Sequence, residues 1–73
     1  MNNQIIDIAE NIKILLFNKG KMNVRQIGEH IHCWDSFIFI AIGWLMKEDQ
    51  VSVECKNEKL YFILKKNIPE IYY

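Results

Sequence analysis

The sequence predicts a small α+β domain in which three helices precede a two-stranded β-hairpin. Apolar residues recur at helical spacing in three successive segments between residues 4 and 50, and two period-two segments follow at 51–55 and 60–64. These periods distinguish amphipathic helices from half-buried strands. We expect residues 1–73 to form one domain, because a chain of this length is of single-domain size, with residues 65–73 as a C-terminal tail.

The first helix is predicted over residues 4–18, where apolar and polar residues alternate with the period of an amphipathic helix. Gly20 is expected to end this helix, because glycine adopts the left-handed conformation at little cost. Residues 21–23 are long enough only for a bridge or a short strand. Asn23 then suits the N-cap of a second helix, with Gln26 at its third position completing a capping box.

The third helix covers most of the longest apolar stretch, residues 34–50. Its start is predicted at Trp34 or Asp35 and its end around residues 48–50. Rotating 100° per residue places one stripe toward the core, and this stripe consists of Ile38, Ala41, Ile42 and Leu45.

A β-hairpin follows, with strands predicted over residues 51–55 and 60–64 and a polar turn over residues 56–59. The second strand is apolar on both of its faces. One face is expected to cover the core, so the other needs a partner.

Helix, short strand, helix, helix, strand, strand is the order of a winged helix. Two segments, GKMNVRQI at 20–27 and AIGWLMKEDQVSV at 41–53, are similar to a small prokaryotic winged helix-turn-helix family known as a domain of unknown function. The Gly43-Trp44 pair is the more particular part of this resemblance. The resemblance implies the fold and self-association, and it carries no known activity across.

Composition narrows the function classes. Nine basic residues balance nine acidic ones, so no overall field attracts the domain to phosphate. No apolar run is long enough to span a bilayer, and the first ten residues lack a signal-peptide pattern, so we expect a cytoplasmic protein. Cys33 and Cys55 are expected to be buried free thiols, with a bridge between them as the alternative.

No pattern in the sequence indicates a catalytic, cofactor or metal site. His30, His32 and Cys33 are close in sequence, but His30 and His32 point apart if both are helical, and the cluster offers three ligands at most. The chain has no phosphate-binding glycine loop and no paired carboxylates in an evident cleft. We therefore expect a protein that is not an enzyme and binds no cofactor.

The outward face of the third helix predicts an interaction module, most simply a homodimer with Trp44 as its anchor. An amphipathic surface helix carries polar residues outward, whereas this one carries aromatic and branched side chains there as well. The residues expected at the protein interface are Phe37, Phe39, Ile40, Trp44, Tyr61 and Ile63.

The alternative is a DNA-binding transcriptional regulator. Its cations would lie at the start of the second helix, the end of the third helix and the hairpin turn, which are positions for phosphate contacts. The residues expected to contact nucleic acid in that case are Arg25, Ser36, Lys47, Lys56 and Lys59.

Overall fold

A computed structural model describes residues 3–65 and gives the predicted order of elements. The helices are α1 (Asn3–Lys19), α2 (Val24–Ile31) and α3 (Asp35–Lys47), and the strands are β1 (Met22–Asn23), β2 (Val51–Lys56) and β3 (Lys59–Leu64). The strands form one antiparallel sheet in the order β1-β3-β2. The α+β winged-helix prediction is confirmed. Apart from Lys65, the predicted tail lies outside the described residues.

Local chemistry sets the helix boundaries much as predicted. Gly20 has φ +86°, and its N–H donates to the carbonyl of Leu16 at 2.8 Å, which ends α1. The Asn23 side chain accepts from the Gln26 N–H at 2.9 Å, while the Gln26 side chain accepts from the Asn23 N–H at 3.0 Å. This capping box satisfies two N–H groups that would otherwise lack partners. Trp34 is the N-cap of α3 and makes no side-chain capping bond.

The core lies between the helices and one face of the sheet. All four residues of the predicted inner stripe of α3 are buried. The buried residues are Ile5, Ile8, Ala9, Ile12, Leu16, Met22, Ile27, Ile38, Ala41, Ile42, Leu45, Val51 and Phe62. Every element contributes to this single cluster, so the helices and the sheet are held together by one apolar core.

The hairpin has a tighter turn than the sequence predicted. Lys56 pairs with Lys59, which extends both strands by one residue and leaves a two-residue turn of Asn57 and Glu58. Both turn residues have positive φ, 53° and 64°. This is the conformation of a type I′ turn, whose twist matches that of the strands it joins.

Glycine at position 58 should stabilise the domain. An L-residue in the left-handed region costs about 1–2 kcal/mol, and glycine removes this cost. Glycine also makes the unfolded chain more flexible, which lowers stability by about 0.5–1 kcal/mol. Glu58→Gly should therefore raise the free energy of unfolding by about 0.5–1 kcal/mol. Urea denaturation measures this change. Lys56→Gly is the matched control, because Lys56 lies in the adjacent strand, and it should destabilise the domain by a similar amount. Loss of stability in both variants would contradict the turn assignment.

Candidate interaction surface

One exposed face of α3 is largely apolar. Phe39 and Ile40 are each 51% exposed, and Met46 is also exposed two turns further along. Ser36, Gly43 and Lys47 are exposed at the intervening helical spacings. Between Ser36 and Lys47, every exposed residue of the helix is therefore apolar or glycine.

The hairpin contributes a second apolar surface. Cross-strand partners share a face of a sheet, so Val53 and Cys55 lie on the same face as their partners Phe62 and Leu60. Phe62, nearer the helices, is buried, whereas Val53, Cys55 and Leu60 are exposed. The core-facing side of the sheet therefore continues past the helices as an exposed apolar overhang.

A groove connects these two surfaces, with Phe39 at its middle. Toward the hairpin it has a volume of about 320 Å³ and is lined by Asn23, Val24, Arg25, Phe39, Lys59 and Leu60. Toward the α2–α3 turn it continues along Val24, Arg25, Gly28, Glu29, Cys33, Asp35 and Phe39. We call this the Phe39 groove, with a wing end at Lys59 and a turn end at Asp35.

The family model of the winged helix-turn-helix domain DUF2582 matches residues 1–64. The chain belongs to this family. No curated protein and no solved structure matches the chain. The family is a domain of unknown function, so the match assigns the architecture, in which α2 and α3 form the helix-turn-helix and the hairpin is the wing.

This winged helix-turn-helix domain does not bring all the predicted interface residues together. Phe39 and Ile40 share the exposed face of α3, but Phe37 and Trp44 are half-buried and pack against the core of their own domain. Trp44 therefore helps to pack the core of its own domain. That Trp44 anchors a homodimer stays a prediction.

Tyr61 lies on the opposite face of the wing from Leu60 and Phe62, as does Ile63, because successive strand residues point to opposite sides. The Tyr61 ring lies beneath the Lys21 ammonium, 5.6 Å from its centroid, and Lys21 also binds Glu54 at 3.2 Å. Charged side chains of the same chain thus line the outer face of the wing. Tyr61 does not line the Phe39 groove.

The residues predicted to contact nucleic acid differ in their surroundings. Lys47 lies 3.8 Å from Glu48 and 5.5 Å from the centroid of Trp44, whereas Ser36 is exposed in the first turn of α3. Arg25 lines the Phe39 groove. Lys56 and Lys59 are cross-strand neighbours at the wing tip.

Among residues 3–65, most lysines outside the groove and the wing tip have an acidic partner. The ion pairs are Lys13–Glu10, Lys21–Glu54, Lys47–Glu48 and Lys65–Asp49. The cations of the described chain that lack such a pair are Lys19, Arg25, Lys56 and Lys59. Three of these four lie in the groove or at the tip of the wing.

The histidines and cysteines do not form a cluster. The Nδ1 of His30 lies 3.0 Å from the carbonyl oxygen of Gln26, one turn earlier in α2, and His32 takes a left-handed conformation (φ 62°) as the C-cap of α2. Within residues 3–65, no group of three or more His, Cys, Asp or Glu side chains is arranged to hold a metal ion.

The expectation of two buried thiols is wrong for Cys55. This residue is exposed, because it lies on the overhang of the wing beyond the reach of the helices, and Cys33 is half-buried beside the turn end of the groove. Both thiols are free, so the alternative of a bridge between them is also wrong.

Sequence reasoning missed Leu60, Val53 and Met46 as surface residues. A signal was present for Met46, which follows Phe39 by seven residues and therefore shares its helical face. The strand residues gave no such signal, because alternation identifies two faces without showing where the helices stop covering one of them.

The described residues have other exposed apolar side chains outside this surface. Ile14 and Phe17 lie on α1, where Phe17 is 76% exposed, and Trp34 is exposed before α3. Neither Ile14 nor Phe17 lines the Phe39 groove, so these positions serve as matched controls. No helix in the described part of the chain combines the length and apolarity required to cross a membrane.

Proposed function

We propose that this domain is a non-enzymatic protein-interaction module that forms a homodimer through the exposed face of α3 and the Phe39 groove. The observation that carries the proposal is the apolar surface formed by Phe39, Ile40 and Met46 on α3 together with Leu60 and Val53 on the wing. Apolar patches that are contiguous and rimmed by polar residues mark binding sites on proteins.

The composition of α3 supports a protein partner over DNA. In a helix-turn-helix protein the second helix of the motif enters the major groove. Bases are read there mainly by Arg, Lys, Asn and Gln side chains, yet Phe39, Ile40 and Gly43 occupy the middle of the exposed face of α3. Asp35, at the start of α3, would bring a carboxylate toward the phosphates. Inserting this face into the major groove would therefore remove water from the polar base edges and replace it with apolar side chains that form no hydrogen bonds with them.

A second copy of the chain is the partner that the composition favours. A domain of this size buries only about 60% of the surface that its unfolded chain exposes, less than a larger domain does. Because 51% of its residues are hydrophobic, association can bury apolar surface that folding leaves exposed. The formal net charge is zero, so two copies meet without overall repulsion. The two free thiols support a reducing compartment, and we place the dimer in the cytoplasm.

The solution mass as a function of concentration tests this proposal. Light scattering after size exclusion should show a species of twice 8.7 kDa at micromolar concentration that dissociates on dilution. A monomer throughout the dilution series would contradict the homodimer. Loss of the dimer when α3 is altered, but not when α1 is altered, would assign the surface.

The unpaired cations favour one second candidate, a regulator that binds DNA phosphates. Arg25, Lys56 and Lys59 have no acidic partner among residues 3–65, and like charges placed across a strand pair repel each other. Their exposure near one end of the domain gives a local positive patch although the net charge is zero.

We expect retention on a mixed-sequence DNA duplex to be weak. Three phosphate contacts correspond to a slope of roughly −2.7 in log affinity against log salt, so binding should fall about 40-fold between 50 and 200 mM salt. Electrophoretic mobility shifts at these two salt concentrations measure it. Tight retention at the higher concentration that is abolished by Lys56→Glu with Lys59→Glu, but not by Lys13→Glu with Lys19→Glu, would favour the DNA-binding function instead.

A further inference from the structure

Given the proposed homodimer, we propose that two copies pack their Phe39 grooves antiparallel, so that the basic wing end of each groove meets the acidic turn end of the other. The partner of this surface is thus a second copy in one defined orientation. The inference rests on how charge is distributed along the groove.

The groove is electrically asymmetric along its length. Lys59 lies at the wing end, Glu29 and Asp35 lie at the turn end, and Arg25 lines the groove toward both ends. Arg25 and Glu29 are one turn apart on α2 and both are exposed. Two cations and two carboxylates therefore follow one another from the wing to the α2–α3 turn.

None of these four groups forms an ion pair within residues 3–65. The four ion pairs of the described chain all involve other residues. Even Arg25 and Glu29, which have the spacing of a helical pair, are not within ion-pair distance of each other. The charges along the groove therefore remain available to an external partner that carries the complementary sequence of charges.

A second copy carries that complementary sequence when it is turned end to end. Closed dimers are isologous, with the same patch on both subunits related by a two-fold axis. An axis through the middle of the groove brings Lys59 of one copy toward Glu29 and Asp35 of the other, and the reverse contacts form simultaneously. A parallel arrangement would instead bring like charges together, which disfavours association.

The middle of the groove fits the two-fold axis. Three residues line both the wing end and the turn end and so mark the centre, namely Arg25 and the apolar pair of Phe39 and Val24. In the antiparallel arrangement these apolar residues meet their own counterparts. Desolvated aromatic anchors at the centre, with charges at the rim, are the usual organisation of a specific interface.

Charge reversal at the groove tests the pairing. Arg25→Glu with Lys59→Glu makes an all-acidic groove, and Glu29→Lys with Asp35→Lys makes an all-basic one. At low salt each variant alone should self-associate at least about tenfold more weakly than the unaltered chain. An equimolar mixture should recover a dimer that contains one chain of each kind, detected by native mass spectrometry. Absence of this mixed dimer would overturn the proposal.

A chain with all four reversals tests the orientation. Its groove is acidic at the wing end and basic at the turn end, so it should dimerise with itself but be excluded from mixed dimers with the unaltered chain. Free mixing of the two chains would overturn the antiparallel arrangement while leaving the homodimer standing. A monomeric unaltered chain would instead overturn the proposed function, so the two failures are distinguishable.

Two controls keep the test interpretable. Lys13→Glu with Lys19→Glu changes the net charge as much as the acidic variant does, but on α1, and should leave the dissociation constant within about twofold of that of the unaltered chain. Asp35 lies in the first turn of α3, where a carboxylate favours the helix. Glu29→Lys alone therefore replaces the basic variant if the double change lowers the melting temperature, and it should still pair with the acidic variant.

Discussion

Phe39→Glu should weaken self-association by at least about 100-fold, which corresponds to the loss of a central hot-spot residue. Phe39 is half-exposed at the centre of the groove, and in the proposed dimer its ring meets the same ring of the other copy. The substitution places two carboxylates against each other in an apolar setting, where burying each charge is costly. Light scattering over a micromolar dilution series measures the dissociation constant.

Phe17→Glu is the matched control for this prediction. It makes the same chemical change at an aromatic residue that is 76% exposed on α1, away from the groove. Glutamate is a good helix former, so neither change should unfold its helix. The control should associate as the unaltered chain does. A dimer lost in Phe17→Glu and retained in Phe39→Glu would show that the copies meet through α1.

Ile38→Ala should lower the free energy of unfolding by about 2–5 kcal/mol, the range observed for large-to-small changes in cores. Ile38 is fully buried, and its Cδ1 lies 3.5 Å from the position that a Cβ on Gly28 would take, at the contact between α2 and α3. Small domains have about 5–15 kcal/mol of stability in total. This single change should therefore remove a large part of it.

Ile40→Ala makes the same deletion two residues away on the exposed face of α3. It should change stability by less than about 0.5 kcal/mol when the domain is monomeric. Both changes should be made in the Phe39→Glu background, because dimerisation would add a concentration-dependent contribution to the stability. Urea denaturation gives the two values. Equal losses at both positions would mean that Ile40 also packs in the core.

The parts of this fold that local chemistry determines were predictable from sequence. The Asn23 and Gln26 capping box, the Gly20 stop and the inner stripe of α3 all depend on neighbours within one or two turns. The pairing of the wing strands followed from their alternation. The turn was predicted two residues too long. Asn57 and Glu58 take positive φ, and the sequence has no glycine there that would have indicated a two-residue turn.

The parts that depend on tertiary packing were less predictable. Period alone placed four aromatic and branched residues of α3 outside its inner stripe. Of these, Phe37 and Trp44 nevertheless pack against the core, whereas Phe39 and Ile40 are exposed. The difference depends on where neighbouring elements flank α3, which no local pattern encodes. For the same reason the sequence grouped Tyr61 with Phe39, although Tyr61 lies on the face of the wing opposite Leu60 and Phe62.

Isotope-filtered nuclear Overhauser spectroscopy on an equimolar mixture of labelled and unlabelled chains tests the central claim most directly, because it detects only contacts between copies. We predict intermolecular signals from the Phe39 ring to the methyl groups of Val24 and to the Phe39 ring of the other copy. Intermolecular signals confined to Ile14 and Phe17 of α1, or none at concentrations where the mass is that of a dimer, would contradict the proposed interface.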